Sequence, residues 1–242
     1  MKSAFQRTTN TEIELKDVRQ VVVVGDVGCT GFDDQSKQVF GAVLRHQADL
    51  FIINGDIAQT GATEQFVAVM EFCNTRAQAP VFALCGNHDL PGYAECCGLF
   101  TYAIVLERAV LVCLDNSRGS FETADLEFLR HQLQKHDRKR FVVLFHVPPP
   151  LEHVRSVMKE DAWHELRMVL DSYKNRIECI ICGHIHGFYE YDLDGYHIFI
   201  TAGGGAAMIH ELPREQCKIF NALRLVFKDD ASIAIEMVPV QV

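Results

Sequence analysis

Five short apolar runs in this sequence each end in residues that can bind a metal ion or transfer a proton. The residues at these ends are Asp26, Asp56, Asn87-His88-Asp89, His146 and His184-Ile185-His186. Short runs rich in Val, Ile and Phe are typical of strands covered on both faces of a parallel α/β sheet. Because α/β sheets bind ligands at the carboxyl ends of their strands, we expect these side chains to meet. Their oxygen and nitrogen atoms suit Mn, Fe or Zn ions, so the pattern predicts a metal site.

Helical spacing between the runs indicates how the strands are connected. Apolar residues recur with the period of a helix face in 33–48, 63–76, 126–133 and 163–170. Strands that alternate with helices are typical of parallel strands joined by crossovers. The first part of the chain is therefore predicted to form parallel strand–helix–strand units.

Three other stretches have the pattern of hairpins. Two apolar runs within 102–115 flank Glu107-Arg108, and two runs after His186 flank Asp194-Gly195, a strong hairpin dipeptide. Lys228-Asp229-Asp230 separates the last pair of runs. We expect the strands after His186 to form a second, largely antiparallel sheet that packs on the first.

Length and composition favour one globular domain with a reduced interior. The chain has 242 residues, no linker, and a formal net charge of -9, which disfavours a nucleic-acid or anionic-membrane surface. The first 17 residues lack the apolar core of a signal peptide, and no apolar stretch approaches the roughly 20 residues of a membrane span. Nine cysteines, an odd number without regular spacing, indicate free thiols. We expect a cytoplasmic protein without a membrane partner.

Gly55-Asp56, Gly86-Asn87-His88-Asp89 and Gly183-His184-Ile185-His186, together with Asp26 and the lone His146, resemble the motifs of the calcineurin-like metallophosphoesterases. The motifs occur in the family's order and cover 26–186. The resemblance implies an α/β fold, a four-layer α/β/β/α sandwich of two mixed sheets flanked by helices. It also implies one domain over 1–242, with 1–18 as an N-terminal extension.

The resemblance further implies a centre of two divalent metal ions. One metal would take Asp26, Asp56 and His186, and the other Asp56, Asn87, His146 and His184, so that Asp56 bridges them. A metal-bridging hydroxide would then attack a phosphate mono- or diester.

Two residues beside Asn87 have expected catalytic roles. His88 is the expected general acid for the departing alkoxide. Asp89 would orient His88 through a hydrogen bond, and a carboxylate that caps a turn is an equal alternative.

The first block departs from the commoner family pattern, because Gly28 stands where many members have a histidine ligand. The sequence resembles the purple acid phosphatase branch in this respect, but Gln59 replaces that branch's tyrosine ligand. The missing ligand would come from water, from the Gln59 amide oxygen or from the Cys29 thiol, in that order of preference. His153, after a rigid Pro148-Pro149-Pro150 segment, is either a substrate contact or a solvated loop residue, and His210 raises the same question.

The leading hypothesis is a phosphoesterase acting on a small phosphorylated substrate. A cyclic-nucleotide phosphodiesterase and a protein phosphatase use the same chemistry and stay open. A metal-poor binding scaffold of the same fold is the alternative from a different class, since Gly28 and Gln59 suggest a decayed first site. The oligomeric state is left open.

Overall fold

The computed structural model describes residues 3–208, 217–230 and 232–242. The strands are β1 (Glu12–Glu14), β2 (Gln20–Val24), β3 (Leu50–Asn54), β4 (Val81–Leu84), β5 (Tyr102–Val105), β6 (Ala109–Cys113), β7 (Arg140–Leu144), β8 (Ile177–Cys182), β9 (Phe188–Leu193), β10 (Tyr196–Thr201), β11 (Asn221–Phe227) and β12 (Ile233–Pro239). The α-helices are α1 (Asp34–Val43), α2 (Thr63–Arg76), α3 (Tyr93–Cys96), α4 (Thr123–Lys135) and α5 (Glu160–Leu170), and a 3₁₀ helix (Asp171–Arg176) follows α5. None of the helices in these ranges combines the length and apolar character that crossing a membrane requires.

The apolar runs form strands because both of their faces are covered. Val21, Val22, Val23 and Val24 of β2 are all fully buried, as a strand between two packed layers must be. The four predicted helices are present, and α2 has the predicted bounds, whereas α1 ends at Val43 and not near residue 48. Helix α1, for example, begins after Asp33, whose carboxylate accepts the Ser36 N–H at 2.9 Å.

The five-stranded sheet has the order β12-β11-β2-β3-β4. Strands β2, β3 and β4 are parallel neighbours, with Val23 paired to Ile52 and Ile52 to Phe82. Strand β11 is antiparallel to both β2 and β12. The carboxyl ends of the three parallel strands therefore lie side by side at one edge of the sheet.

The seven-stranded sheet has the order β1-β5-β6-β7-β8-β10-β9. Its central strands β6, β7, β8 and β10 run parallel, and antiparallel pairs β5–β6 and β9–β10 flank them. The hairpins predicted at Glu107-Arg108 and Asp194-Gly195 are confirmed. Asp194 and Gly195 have φ values of 51° and 78°, which suits the tight turn between β9 and β10.

The predicted separate sheet after His186 is wrong. Strand β10 pairs with β8 and extends the seven-stranded sheet, whereas β11 pairs with β2 and extends the five-stranded sheet. The apolar runs and the turn residues between them identified both hairpins, but this signal depends only on neighbouring residues. Which sheet edge a hairpin joins is decided by long-range packing, since each hairpin covers apolar surface that would otherwise be exposed.

The two sheets pack face to face, and helices cover their outer faces, so the four-layer α/β/β/α sandwich of two mixed sheets is confirmed. Apolar side chains from both sheets fill the interface, among them Val23, Ile52, Leu84, Leu111, Leu144 and Ile181. Helices α4 and α5 pack on the seven-stranded sheet, and α1, α2 and α3 pack on the five-stranded sheet.

The N-terminal segment is attached to both sheets. Phe5 is buried and lies beside Val81 of β4, while β1 pairs in parallel with β5. The extension at 1–18 is thus ordered over its described residues. The description of the whole chain as one domain stays a prediction.

Candidate metal centre

The predicted ligands lie just beyond the ends of five parallel strands. Asp26 and Asp56 follow β2 and β3 by two residues, Asn87 follows β4 by three, and His146 and His184 follow β7 and β8 by two. The first three come from the five-stranded sheet and the histidines from the seven-stranded sheet. Hydrogen bonds join the two sheets here, among them Gly25 N–H to the Thr201 carbonyl at 2.8 Å.

One group of side chains, the second ligand set, consists of Asp56, His146 and His184. Their ligand atoms all lie within 4.8 Å of one another. His146 Nε2 lies 3.3 Å from Asp56 Oδ1 and 3.2 Å from Asn87 Oδ1, so Asn87 belongs to the same place. His146 Nδ1 is 2.9 Å from the Asn54 carbonyl oxygen. That carbonyl accepts the Nδ1 proton, and Nε2 is directed at the site.

The other group, the first ligand set, consists of Asp26, Cys29 and His186, whose ligand atoms also lie within 4.8 Å of one another. His186 Nε2 lies 3.4 Å from Asp26 Oδ1 and 3.2 Å from Cys29 Sγ. The Ala207 carbonyl oxygen accepts a hydrogen bond from His186 Nδ1. Both histidines therefore offer Nε2 to the site and are fixed through Nδ1 by a backbone carbonyl.

The surroundings of Asp26 test whether these residues fit a cation. Asp26 is completely buried, and its Oδ2 accepts the His184 N–H at 3.0 Å, but its Oδ1 has no hydrogen-bond partner. A buried carboxylate oxygen without a donor is costly unless a cation lies beside it. The oxygen, nitrogen and sulfur donors of the two ligand sets fit divalent ions of the zinc and iron type.

The backbone is strained at three of the ligands. Asp26, Asp56 and His184 have φ values of 62°, 56° and 71°, in the left-handed region that costs a residue other than glycine about 1–3 kcal/mol. Gly55 before Asp56 is required for space, because a Cβ there would lie 2.3 Å from His146 Nδ1. The fold thus holds these side chains in positions that an unconstrained chain would leave.

Charge coupling in the second ligand set is strong. Burial alone lowers the pKa of His146, but the Asp56 carboxylate more than reverses this and raises that pKa to about 10. Burial likewise raises the pKa of Asp56, yet the charge of His146 holds it well below its usual range. In the metal-free protein the two residues form an imidazolium–carboxylate pair.

The surroundings of the first ligand set also favour the protonated forms of its side chains. Burial raises the pKa of Asp26, and the nearby Asp56 charge adds to this. Burial opposes a charge on His186, but the contact with Asp26 raises the His186 pKa overall. Burial, followed by the Asp26 carboxylate, raises the pKa of the Cys29 thiol. A metal ion that binds here must displace protons.

Asp89 does not make the expected contact with His88. Its Oδ1 accepts the Ala58 N–H at 2.8 Å and its Oδ2 accepts the Gly86 N–H at 2.9 Å. These bonds are those of the capping alternative, and they tie the loop after Asp56 to the loop before Asn87. The His88 ring is held elsewhere, with Nδ1 2.8 Å from the Gln59 carbonyl oxygen.

The remaining predicted residues are exposed or lie outside the described residues. The Gln59 side chain is exposed and lines a cavity of about 250 Å³ beside Gly28. The side chain of His153 is 83% exposed and lies 3.3 Å from Glu152. Direct roles for Gln59 and His153 stay predictions, and His210 lies outside the described residues.

Sequence reasoning missed the residues that position the ligands. Asn116 is fully buried, and its Oδ1 accepts the N–H groups of both His146 and Val147 at 2.9 Å. Its position just after the apolar run 109–114 was the available signal. The side chain of Cys29, the last of the three alternatives for the missing ligand, lies within the first ligand set.

A protein-family profile and several solved structures are similar to this chain. The profile of the calcineurin-like phosphoesterase family matches residues 19–188, well over half of the chain. No curated protein matches the sequence. Solved structures show the same fold at low identity. A purple acid phosphatase from yellow lupin (Lupinus luteus) seeds has a TM-score of 0.75 at 16% identity, over 93% of this chain and 52% of that one. This chain therefore spans about half the length of the lupin enzyme.

Two other similar structures cover nearly their whole length. A dimetal phosphatase from Danio rerio has a TM-score of 0.64 at 12% identity, over 93% of this chain and 99% of that one. GAP50, the anchor in the inner membrane complex of Plasmodium, has a TM-score of 0.66 at 11% identity, over 93% and 90%. At these identities the likeness shows the fold alone. The family profile, which spans every ligand described above, shows that this chain belongs to the calcineurin-like phosphoesterases.

Proposed function

We propose that this protein is a metal-dependent phosphoesterase that hydrolyses phosphate mono- or diesters. One observation carries the proposal. Ligand groups from both sheets converge at adjacent strand ends, and both His146 and His186 offer Nε2 there because backbone carbonyls accept from Nδ1. Histidines fixed in this way are typical of metal sites.

Asp26 and His186 would hold one ion, and Asn87, His146 and His184 the other, with Asp56 as the expected bridge. When bound, a pair of divalent ions neutralises phosphate charge and makes hydroxide available near neutral pH. Manganese, iron and zinc all fit oxygen and nitrogen donors of this kind.

His88 is the proposed proton donor to the leaving group. Its backbone N–H donates to Asp56 Oδ1 at 3.1 Å, and its exposed ring is held through Nδ1 by the Gln59 carbonyl. In the imidazolium form of the ring, Nε2 then carries the proton that can pass to the departing alkoxide. The cavity of about 250 Å³ that Phe32, Ile57 and Gln59 help to line begins beside Gly28, and it offers room for the organic part of a small phosphorylated substrate.

The test is hydrolysis of an aryl phosphate monoester and the matching diester with excess manganese. The control is the Asn87→Ala, His88→Ala double variant, purified in the same way. We expect turnover above the control. Preference for the monoester would favour a phosphatase, and preference for the diester would direct the search to cyclic nucleotides.

A binding scaffold is the second candidate, because Gly28 replaces a family ligand and the same fold occurs in an anchor protein. Metal content discriminates between the two. Negligible metal retention after dialysis against micromolar metal, together with no turnover on either ester, would favour the scaffold.

A further inference from the structure

The Cys29 side chain lies inside the first ligand set. It is only 4% exposed, and its Sγ is 3.2 Å from His186 Nε2. Sγ, the Asp26 carboxylate and the His186 imidazole lie within 4.8 Å of one another. A sulfur, an oxygen and a nitrogen donor therefore converge from the loop after β2 and the loop after β8.

The local backbone explains why a cysteine, and not the family's histidine, reaches this place. The Gly28 N–H donates to the Asp56 carbonyl at 3.0 Å, and a Cβ at Gly28 would lie 1.9 Å from the Ile57 carbonyl oxygen. No side chain fits at position 28 while the two loops pack this closely. The ligand must then come from another residue, and the next side chain along the loop is that of Cys29.

Asp26 supplies independent evidence that a cation belongs here. Its Oδ1 is completely buried without a hydrogen-bond donor and lies 3.4 Å from His186 Nε2. With Nδ1 committed to the Ala207 carbonyl, Nε2 is the His186 nitrogen directed at the same space, and it can bind either a proton or a metal ion. These donor atoms can share that space only around a proton or a metal ion.

We propose that Cys29 is a thiolate ligand of the first metal, which makes the centre asymmetric, with sulfur at one ion and only oxygen and nitrogen at the other. This inference rests on the proposed function, since it assigns a further ligand within the same centre. On binding, the thiol S–H proton passes to solvent as the metal–sulfur bond forms, and no oxidation is involved.

The thiolate has two chemical consequences. A soft sulfur ligand favours zinc or ferrous iron over manganese and magnesium at this position. It also adds a third negative charge to those of Asp26 and Asp56, so that two divalent ions leave about one positive charge before any hydroxide binds. An anionic phosphate is still attracted, but more weakly than at a centre without the thiolate.

The decisive measurement is spectroscopic and needs no turnover. The full chain is loaded with cobalt, and the near-ultraviolet absorption of a sulfur-to-cobalt charge transfer is recorded for wild type, Cys29→Ser and Cys96→Ser. Cys96 lies in α3 and belongs to neither ligand set. We expect the band in wild type and Cys96→Ser and its loss in Cys29→Ser. A band that persists in Cys29→Ser would overturn the assignment.

X-ray absorption on the zinc-loaded wild type provides a test without a variant. We expect a sulfur neighbour at about 2.3 Å from zinc, and a shell of only oxygen and nitrogen would refute the proposal. Cys29→Ser should weaken zinc binding by more than the about 10- to 100-fold that loss of an outer-shell partner costs. Turnover with two bound metals and no sulfur would refute the thiolate alone, whereas no metal binding would refute the phosphoesterase as well.

Discussion

His88 Nδ1 lies 2.8 Å from the backbone carbonyl oxygen of Gln59. The carbonyl is fixed in place because the loop that carries it is bound on both sides, through Asp89 at Ala58 and through the Gln65 side chain, which accepts the Gln59 N–H at 3.1 Å. The proton on Nδ1 is therefore committed to Gln59, and the proton that the imidazolium form can transfer is the one on Nε2.

His88→Ala should lower kcat about 100-fold or more while both metals stay bound, because general acid catalysis typically contributes about 10²–10⁴-fold. The loss should be larger for an alkyl phosphate than for an aryl phosphate, whose leaving group needs less protonation. Steady-state kinetics with both esters and metal analysis of the same samples measure this. His164→Ala, on the exposed face of α5, is the matched control, and equal losses with both esters would contradict the assignment.

Asp56→Asn should impair metal binding and turnover together. The amide keeps the shape of the side chain, but it removes the charge that pairs with His146 in the metal-free protein and that would bind cations in the holoprotein. Metal content by mass spectrometry and turnover are measured in parallel. Glu71→Gln, which removes one exposed carboxylate from α2, should retain both, and full metal occupancy in Asp56→Asn would exclude Asp56 as a ligand.

Metal binding should release protons and strengthen as the pH rises. The raised pKa of His146, about 10, means that its Nε2 proton must leave before a metal can bind at neutral pH. Calorimetric titration of the metal-free protein in buffers of different ionisation enthalpy counts the released protons. Heats that do not depend on the buffer would show that His146 is already neutral.

The stability of the metal-free protein should show the opposite pH dependence. A histidine whose pKa is raised by folding stabilises the folded state fully below its unfolded pKa of about 6.5. That contribution is lost as the pH rises towards the folded value of about 10. The free energy of unfolding of the wild type should fall over this range. The decrease should be smaller for His146→Gln when both proteins are measured by urea denaturation.

Gly28→Ala should destabilise the fold by about 1–3 kcal/mol, as overpacking of a tight contact does. The added methyl group meets the Ile57 carbonyl, so the loops after β2 and β3 must separate. Urea denaturation gives the free energy of unfolding. Gly119→Asn is the comparison, because position 119 has open space and asparagine tolerates its φ of 78°; equal stability of Gly28→Ala and wild type would disprove the close packing.

Asp89→Asn should cost about 1–3 kcal/mol, because the amide nitrogen cannot accept a hydrogen bond and leaves one buried backbone N–H without a partner. The loops that carry Asp56 and Asn87 are then joined less firmly, because Asp89 connects them through the Ala58 and Gly86 N–H groups. We expect a lower melting temperature and weaker metal binding, measured by calorimetry on the same samples. If Asp89 instead acts directly on His88, the pH profile of turnover should change with no loss of stability.

Much of the architecture could be predicted from the sequence because each central strand has a clear local sequence signal. The runs before Asp26, Asp56, His146 and His184 are apolar on both faces and end in a turn, so their place at sheet centres and the meeting of their ends followed from general rules. The edge that each later hairpin joins could not be predicted, because β10 and β11 have similar patterns and differ only in long-range partners.

The details of the centre were less predictable for a physical reason. Gly28 suggested a lost ligand. In the structure it allows a close contact with the Ile57 carbonyl, and any larger side chain would prevent that contact. Asp89 has the residue type of a catalytic partner, yet its oxygens are used by two backbone amides. The residue type limits the roles that a side chain can have. The positions of the loops decide which of those roles it takes.

The ligands of the proposed centre come from both sheets of the sandwich, and Asp26 and His186 are separated by most of the chain. Metal ions held between them would cross-link the two sheets at these strand ends. Such a cross-link closes a long loop of the chain. Removal of the metals by a chelator would then affect the structure as well as the hydrolysis of esters. It would allow the two halves of the sandwich to separate at that edge, and amide exchange should quicken first at the ends of β2 and β8.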